Sequence, residues 1–185
     1  MKIREYKLEL NGKTLKFRSP SVNDADDIIE YELKVAEQTP FITAPEDIML
    51  IEKTEMKKKI RSSIERESEY WCLCTIDDKI VGSFRGFIET HYREMHVGAF
   101  GISVDKDYWG NGIGTEFIRY FKELASKRGV TQICINMVEG NDRALALYKK
   151  MGFREIGVIP KSYRYDDSSY RGKCILLCEE MGCWE

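Results

Sequence analysis

Residues 99–128, AFGISVDKDYWGNGIGTEFIRYFKELASKR, carry the pattern from which the rest of the chain is read. A short apolar run at 100–104 ends in a turn, glycines follow at 110, 112 and 114, and an amphipathic segment starts at once. Ile113, Phe117, Phe121, Leu124 and Ala125 recur at helical spacing, and Gly129 stands where a helix end favours positive φ. Strand, glycine turn and helix start, in that order, build an anion site. The first N–H groups of a helix lack intrahelical acceptors, the helix dipole adds partial positive charge, and glycine lets an anion reach the amides. The expected ligand is a phosphate group.

Composition narrows the setting. The 185 residues are enough for one well-buried core, so a single domain over 1–185 is expected. Hydrophobic residues make 43% and charged residues 32%, which excludes a disordered chain. A net charge of -2 and a pI near 5.9 argue against nucleic acid as a partner. The charged, alternating start MKIREYKLEL and the lack of a long apolar run argue against a signal peptide or a membrane partner, so a cytoplasmic protein is expected. Six cysteines are present (Cys72, Cys74, Cys134, Cys174, Cys178 and Cys183), but no CxxC spacing occurs and only His91 and His96 could join them. They read as reduced core residues, with no metal site.

Elsewhere the chain alternates strand and helix signals. Tyr6, Leu8 and Leu10, then Leu15 and Phe17, flank Asn11-Gly12 as a hairpin. Asn23, with Asp26 three residues on, reads as the cap of a helix bearing Ala25, Ile28, Ile29, Leu33 and Ala36. Residues 38–46, with two prolines, read as a loop. Met56, Ile60 and Ile64 mark a charged helix over 52–69, with KKKIR at 57–61 on its solvated face. Strands at 70–76, 79–89 and 95–104 form an antiparallel meander with turns at Asp77-Asp78 and 91–94. A strand at 132–138, a short helix capped by Asn141 and ended by Gly152, and strands at 153–160 and 171–178 close the chain. The order ββααβββαβαββ gives an α/β protein of the α+β type, a mixed sheet with helices on its faces.

The glycine loop is neither a P-loop, since no Lys-Ser/Thr pair closes it, nor a dinucleotide fingerprint, since residue 115 is threonine. A second motif, NDRALALYKKMGF at 141–153, follows after one helix and one strand. Together the two resemble the GCN5-related N-acetyltransferase (GNAT) superfamily. Its Q/R-x-x-G-x-G/A loop is matched by Trp109-Gly110-Asn111-Gly112-Ile113-Gly114, and its N-x-x-A-x-x-x-Y-x-x-x-G-F helix by Asn141, Ala144, Tyr148, Gly152 and Phe153. The resemblance spans residues 70–160 and implies a mostly antiparallel sheet flanked by helices. It implies acetyl-CoA as cosubstrate and an amine acceptor of unknown identity. Ile102, Ser103 and Val104 would pair with the pantetheine arm, the amides from Trp109 to Thr115 would hold the pyrophosphate, and Asn141 would sit beside the cofactor. Tyr148 would serve the thiolate as acid. A homodimer is compatible with such a fold.

Two positions depart from the pattern. Trp109 replaces an Arg or Gln that would contact phosphate. Ala99 stands where many relatives carry a glutamate base, leaving Glu94, His96, Glu139 or water to take the amine proton. An acyl-CoA-binding module without activity is therefore the alternative. The acceptor pocket is expected from the first two helices, residues 39–46 and the 160–171 loop, where Phe41, Tyr163, Tyr165, Asp166 and Asp167 stand. The acidic pair there would suit a cationic amine.

Overall fold

The computed structural model describes residues 2–10, 12–42 and 45–181. Along them run β1 (Tyr6–Leu10), β2 (Lys13–Arg18), α1 (Ala25–Gln38), α2 (Pro45–Met49) and α3 (Lys53–Glu65). Then come β3 (Glu69–Ile76), β4 (Lys79–Ile88), β5 (Val97–Val104), α4 (Ile113–Lys127), β6 (Gln132–Val138), α5 (Asp142–Lys150), β7 (Arg154–Arg164) and β8 (Tyr170–Cys178). The strands follow the order β1-β2-β3-β4-β5-β6-β8-β7 in a mostly antiparallel sheet, in which β5 and β6 form a parallel pair. This is the mixed α/β architecture expected from the element order. Among the described residues, no helix is long and apolar enough to cross a membrane. Asn11 of the first hairpin turn and Cys183 lie outside the described residues.

The contacts divide the chain into two interleaved units, 1–87 with 101–117 and 88–100 with 118–185. In the first, β1 and β2 pair from Tyr6↔Phe17 to Leu10↔Lys13, which places Tyr6 on Phe17 with ring centroids 4.9 Å apart. The β3–β4 turn is made by Asp77 and Asp78, both with positive φ (49° and 59°), the backbone form that matches the twist of a hairpin. Helices α1 and α3 bury Ile28, Tyr31, Val35, Met56 and Ile60 against Trp71, Leu73 and Ile80. Their apolar faces recur at helical spacing, so burial against the sheet stabilises both helices more than propensity does.

Local boundaries differ from expectation at the first helix, the 38–46 loop, the end of α3 and the closing strands. Ser21, not Asn23, is the cap: its side chain accepts from the Asn23 N–H in a capping box that opens a 3-10 turn at Val22–Asp24. Asp24 completes the box and takes a two-pronged ion pair from Arg18 at 2.7 and 2.8 Å. Short helix α2 begins at Pro45, inside the expected 38–46 loop, because proline suits a first helical position. The α3 helix ends at Glu65, four residues early, and the closing strands extend to Arg164 and from Tyr170, leaving a turn in place of the longer loop.

In the second unit, Asn141 caps α5 through Oδ1, which accepts from the Ala144 N–H at 3.2 Å. Gly129 and Gly152 take positive φ, 80° and 82°, at the ends of α4 and α5. The buried Lys122 ammonium donates to the Met151 carbonyl at 3.2 Å, placing a cation at the C-terminal, negative end of α5. Phe100, Phe121, Tyr148 and Phe153 form a ring cluster with centroids 5.5–6.1 Å apart.

Candidate cofactor and acyl-transfer site

The glycine loop begins where β5 ends and is clasped from α1. The Asp105 side chain is fully buried, accepting from Lys34 Nζ at 2.5 Å and from Gln38 Nε2 at 2.9 Å. It also accepts from the Asp107 N–H, starting the 3-10 turn at Lys106–Tyr108. Burial alone would raise its carboxyl pKa, but these three donors hold it below the usual carboxylate range. Gln38 returns the contact by accepting from the Lys106 N–H at 2.8 Å. The loop is thus fixed at its root by charge-assisted bonds, which neither Lys34 nor Gln38 announced in the sequence.

Within the loop, the Trp109 indole N–H donates to the Val104 carbonyl at 2.8 Å, so tryptophan ties the loop to the strand end. The Trp109 backbone N–H is engaged by Lys106 O. Asn111 Nδ2 donates back to the Tyr108 carbonyl at 3.0 Å. Gly110 and Gly112 take positive φ, 80° and 70°. At Gly112 a Cβ would also lie 2.7 Å from Leu10. The 15-residue helix α4 then starts at Ile113, and its first hydrogen-bonded amide is Glu116, to Gly112 O. The N–H groups of Ile113, Gly114 and Thr115 are therefore the open N-terminal donors of a long helix. Residues 109–115 carry no acid, and Glu116 is buried, accepting from Tyr6 Oη at 2.9 Å. This donor set fits a diphosphate.

Ile102, Ser103 and Val104 end β5 half-buried, and Ser103 Oγ lies 3.1 Å from Tyr31 Oη. These three and residues 109–115 belong to the first unit, whereas Asn141 and Tyr148 belong to the second. Tyr148 is 8% exposed, and burial pushes its pKa up to about 12, so it carries its proton at neutral pH.

The candidate bases lie at three separate places in the chain. Glu94 sits in an exposed turn, its carboxylate 3.7 Å from His91 Nδ1. His96 precedes the first residue of β5, and its carbonyl accepts from the Thr131 and Gln132 N–H groups. Residues 102–104 end that same strand. Glu139 Oε2 accepts from the Gly172 N–H at 2.9 Å, stapling the end of β6 to β8. Ala99 lies within β5. Asp167 accepts from the Ser169 N–H in the β7–β8 turn. Burial raises the thiols of Cys72 and Cys74, the latter to about 12, so both stay protonated and inert.

Known proteins resemble the chain in sequence and in fold. Residues 31–153 match the model of the acetyltransferase (GNAT) family. The [ribosomal protein bS18]-alanine N-acetyltransferase of Escherichia coli K12 is 32% identical over 78 residues, 42% of this chain and 51% of that protein. The chain thus spans about half the length of the curated relatives it matches. A GNAT-family acetyltransferase from Streptococcus pneumoniae superposes with a TM-score of 0.80 at 22% identity, over 88% of this chain and 98% of the other. A putative acetyltransferase from Salmonella typhimurium, solved with its cofactor acetyl-CoA, superposes at 0.75 with 11% identity, over 89% and 93%. With a family match covering most of its length and a shared fold on both sides of the glycine loop, the chain belongs to the acetyltransferase (GNAT) family.

Proposed function

We propose that the protein is an acetyl-CoA-dependent N-acetyltransferase acting on a primary amine of a small molecule or a peptide N-terminus. The carrying observation is the glycine loop, whose two left-handed glycines lead into the open amides of α4. Residues 110–115 hold the diphosphate, residues 102–104 hold the pantetheine arm, and Asn141 lies beside it. Bound there, acetyl-CoA supplies an activated acyl group: the amine nitrogen forms a C–N bond to it as the C–S bond breaks.

Tyr148 Oη gives its proton to the departing sulfur, a role that its protonated state at neutral pH supports. The amine proton is assigned to water: the Glu139 carboxylate is bound to the Gly172 N–H, and Glu94 and His96 lie exposed ahead of β5. Free cysteines with raised thiol pKa values suit a reducing compartment, which supports the cytoplasm as its location. The test is release of CoA thiol from acetyl-CoA across a panel of primary amines. Ala99 favours one rival, an acyl-CoA-binding module without turnover, and acetyl-CoA binding with no thiol release from any amine would establish that rival.

A further inference from the structure

A cavity of about 630 Å³ opens in the first unit, and the cofactor chemistry leaves it unused. Trp71 and the exposed Phe87 give it apolar walls. Gly101 closes one side, where a Cβ would meet nothing within 4 Å, and it directly precedes the 102–104 segment assigned to the cofactor. Four cations line the cavity: Lys58 and Lys59 from α3, Arg66 just beyond it, and Arg85 from β4.

Arg85 is the organised member. Its guanidinium carbon stacks 3.8 Å from the centre of the Trp71 ring, and Nη2 donates to Glu32 Oε1 at 2.6 Å. Trp71 is itself fixed, donating from Nε1 to Ser83 Oγ at 3.1 Å. Stacking and one ion pair hold the guanidinium plane in place while using only one N–H, and a positioned planar fork suits carboxylate or phosphate. The lining carboxylate, Glu69, pairs with Arg66. Among the lining residues the four cations outnumber the one carboxylate. The cationic partners in ion pairs here, Lys59, Arg66 and Arg85, are open to water and so remain accessible to an incoming anion.

Resting on the acetyltransferase reading, we infer that this cavity is the acceptor subsite and that it selects amines carrying an anionic group, carboxylate or phosphate. Arg85 reads the anion, and the α3 lysines draw it in. The same four cations repel a polycation, so polycationic acceptors are disfavoured.

Matched acceptors test this by thiol release: 4-aminobutyrate against 4-aminobutanamide, phosphoethanolamine against ethanolamine, and Ala-Glu-amide against Ala-Gln-amide, with spermidine as the polycation. The expected result is a kcat/KM at least about 10-fold higher for an anionic member, consistent with a charge-assisted bond. The first two pairs distinguish carboxylate from phosphate. Arg85→Gln removes most of the preference, Lys58→Gln weakens it, and Gly101→Val raises the acceptor KM, each with an unchanged Kd for acetyl-CoA.

Calorimetric binding of the anionic members to the CoA complex provides a readout free of turnover. Anion binding that depends on Arg85, without transfer to any amine, supports the subsite and overturns the acetyltransferase reading. Transfer that favours neutral or cationic members, or a preference that survives Arg85→Gln, overturns the subsite and leaves the activity standing. Absence of both binding and transfer overturns the subsite as well.

Discussion

A phenol that is to protonate a leaving thiolate must hold its proton at working pH, and Tyr148 does so because its ring is buried against Phe100 and Phe153. Tyr148→Phe keeps that packing and removes the proton. Turnover is expected to fall about 100-fold, at the low end for general acids, with acetyl-CoA affinity little changed. A raised pKa also means that wild-type activity holds through pH 10, where an ordinary tyrosine would begin to ionise, and declines only toward 12. A rate that falls through pH 9–10 in the wild type but not in Tyr148→Phe would show a phenol with an ordinary pKa. His96 provides the opposite control. It is exposed ahead of β5, and with the amine proton assigned to water His96→Ala should leave the acid limb of the kcat/KM profile unmoved. A lost limb near pH 6.5 would make His96 the base.

Between β5 and α4 the loop depends on an element distant in sequence. The last turns of α1 supply Lys34 and Gln38 to Asp105, so α1 fixes the point from which the amides of residues 110–115 fan out. Asp105→Asn discards the charge-assisted bonds and is expected to cost about 2 kcal/mol, or about 4–8 °C in Tm for a chain of this size. The pH dependence has a definite sign. The folded pKa of Asp105 lies below its unfolded value, so its stabilisation is fully present above the unfolded pKa and is lost as pH falls through the folded one. The deficit of the Asn variant, measured by urea midpoint, should therefore be full at neutrality and shrink below about pH 4. An equal deficit at pH 3 and pH 7 would show that the bonds do not depend on the charge. Gly112→Ala strikes the same element locally. A φ of 70° and a Leu10 methyl 2.7 Å from the new Cβ should weaken acetyl-CoA binding, by about 10-fold if the strain is 1–2 kcal/mol.

Across the whole molecule, what was legible in the sequence was what the backbone needs locally. Positive φ at Gly110, Gly112, Gly129 and Gly152, the Asn141 cap and the Asp77-Asp78 turn each leave a residue type at a fixed offset. The Asp105–Lys34 and Arg85–Glu32 pairs, 71 and 53 residues apart, leave none, because a side chain does not declare a distant partner. Lysines 58 and 59 read as a solvated helix face for the same reason: their shared cavity with Arg85 exists only once α3 lies on β3 and β4. Helix α2 was missed because five residues are too few to show a period. Ligand binding, in contrast, is a property of the folded chain and can be read without knowing the acceptor. A ligand that binds only the native state stabilises it by about 2.7 kcal/mol at 100 times its Kd. For a chain of this length that raises Tm by about 5–11 °C. Acetyl-CoA should produce this rise and CoA a similar one, growing with the logarithm of ligand concentration, while ATP and NAD at equal concentration produce none. A rise with NAD and none with CoA would return the glycine loop to a dinucleotide. The rise owes nothing to turnover, so it is shared by the enzyme and by an acyl-CoA-binding module, and thiol release alone then separates the two.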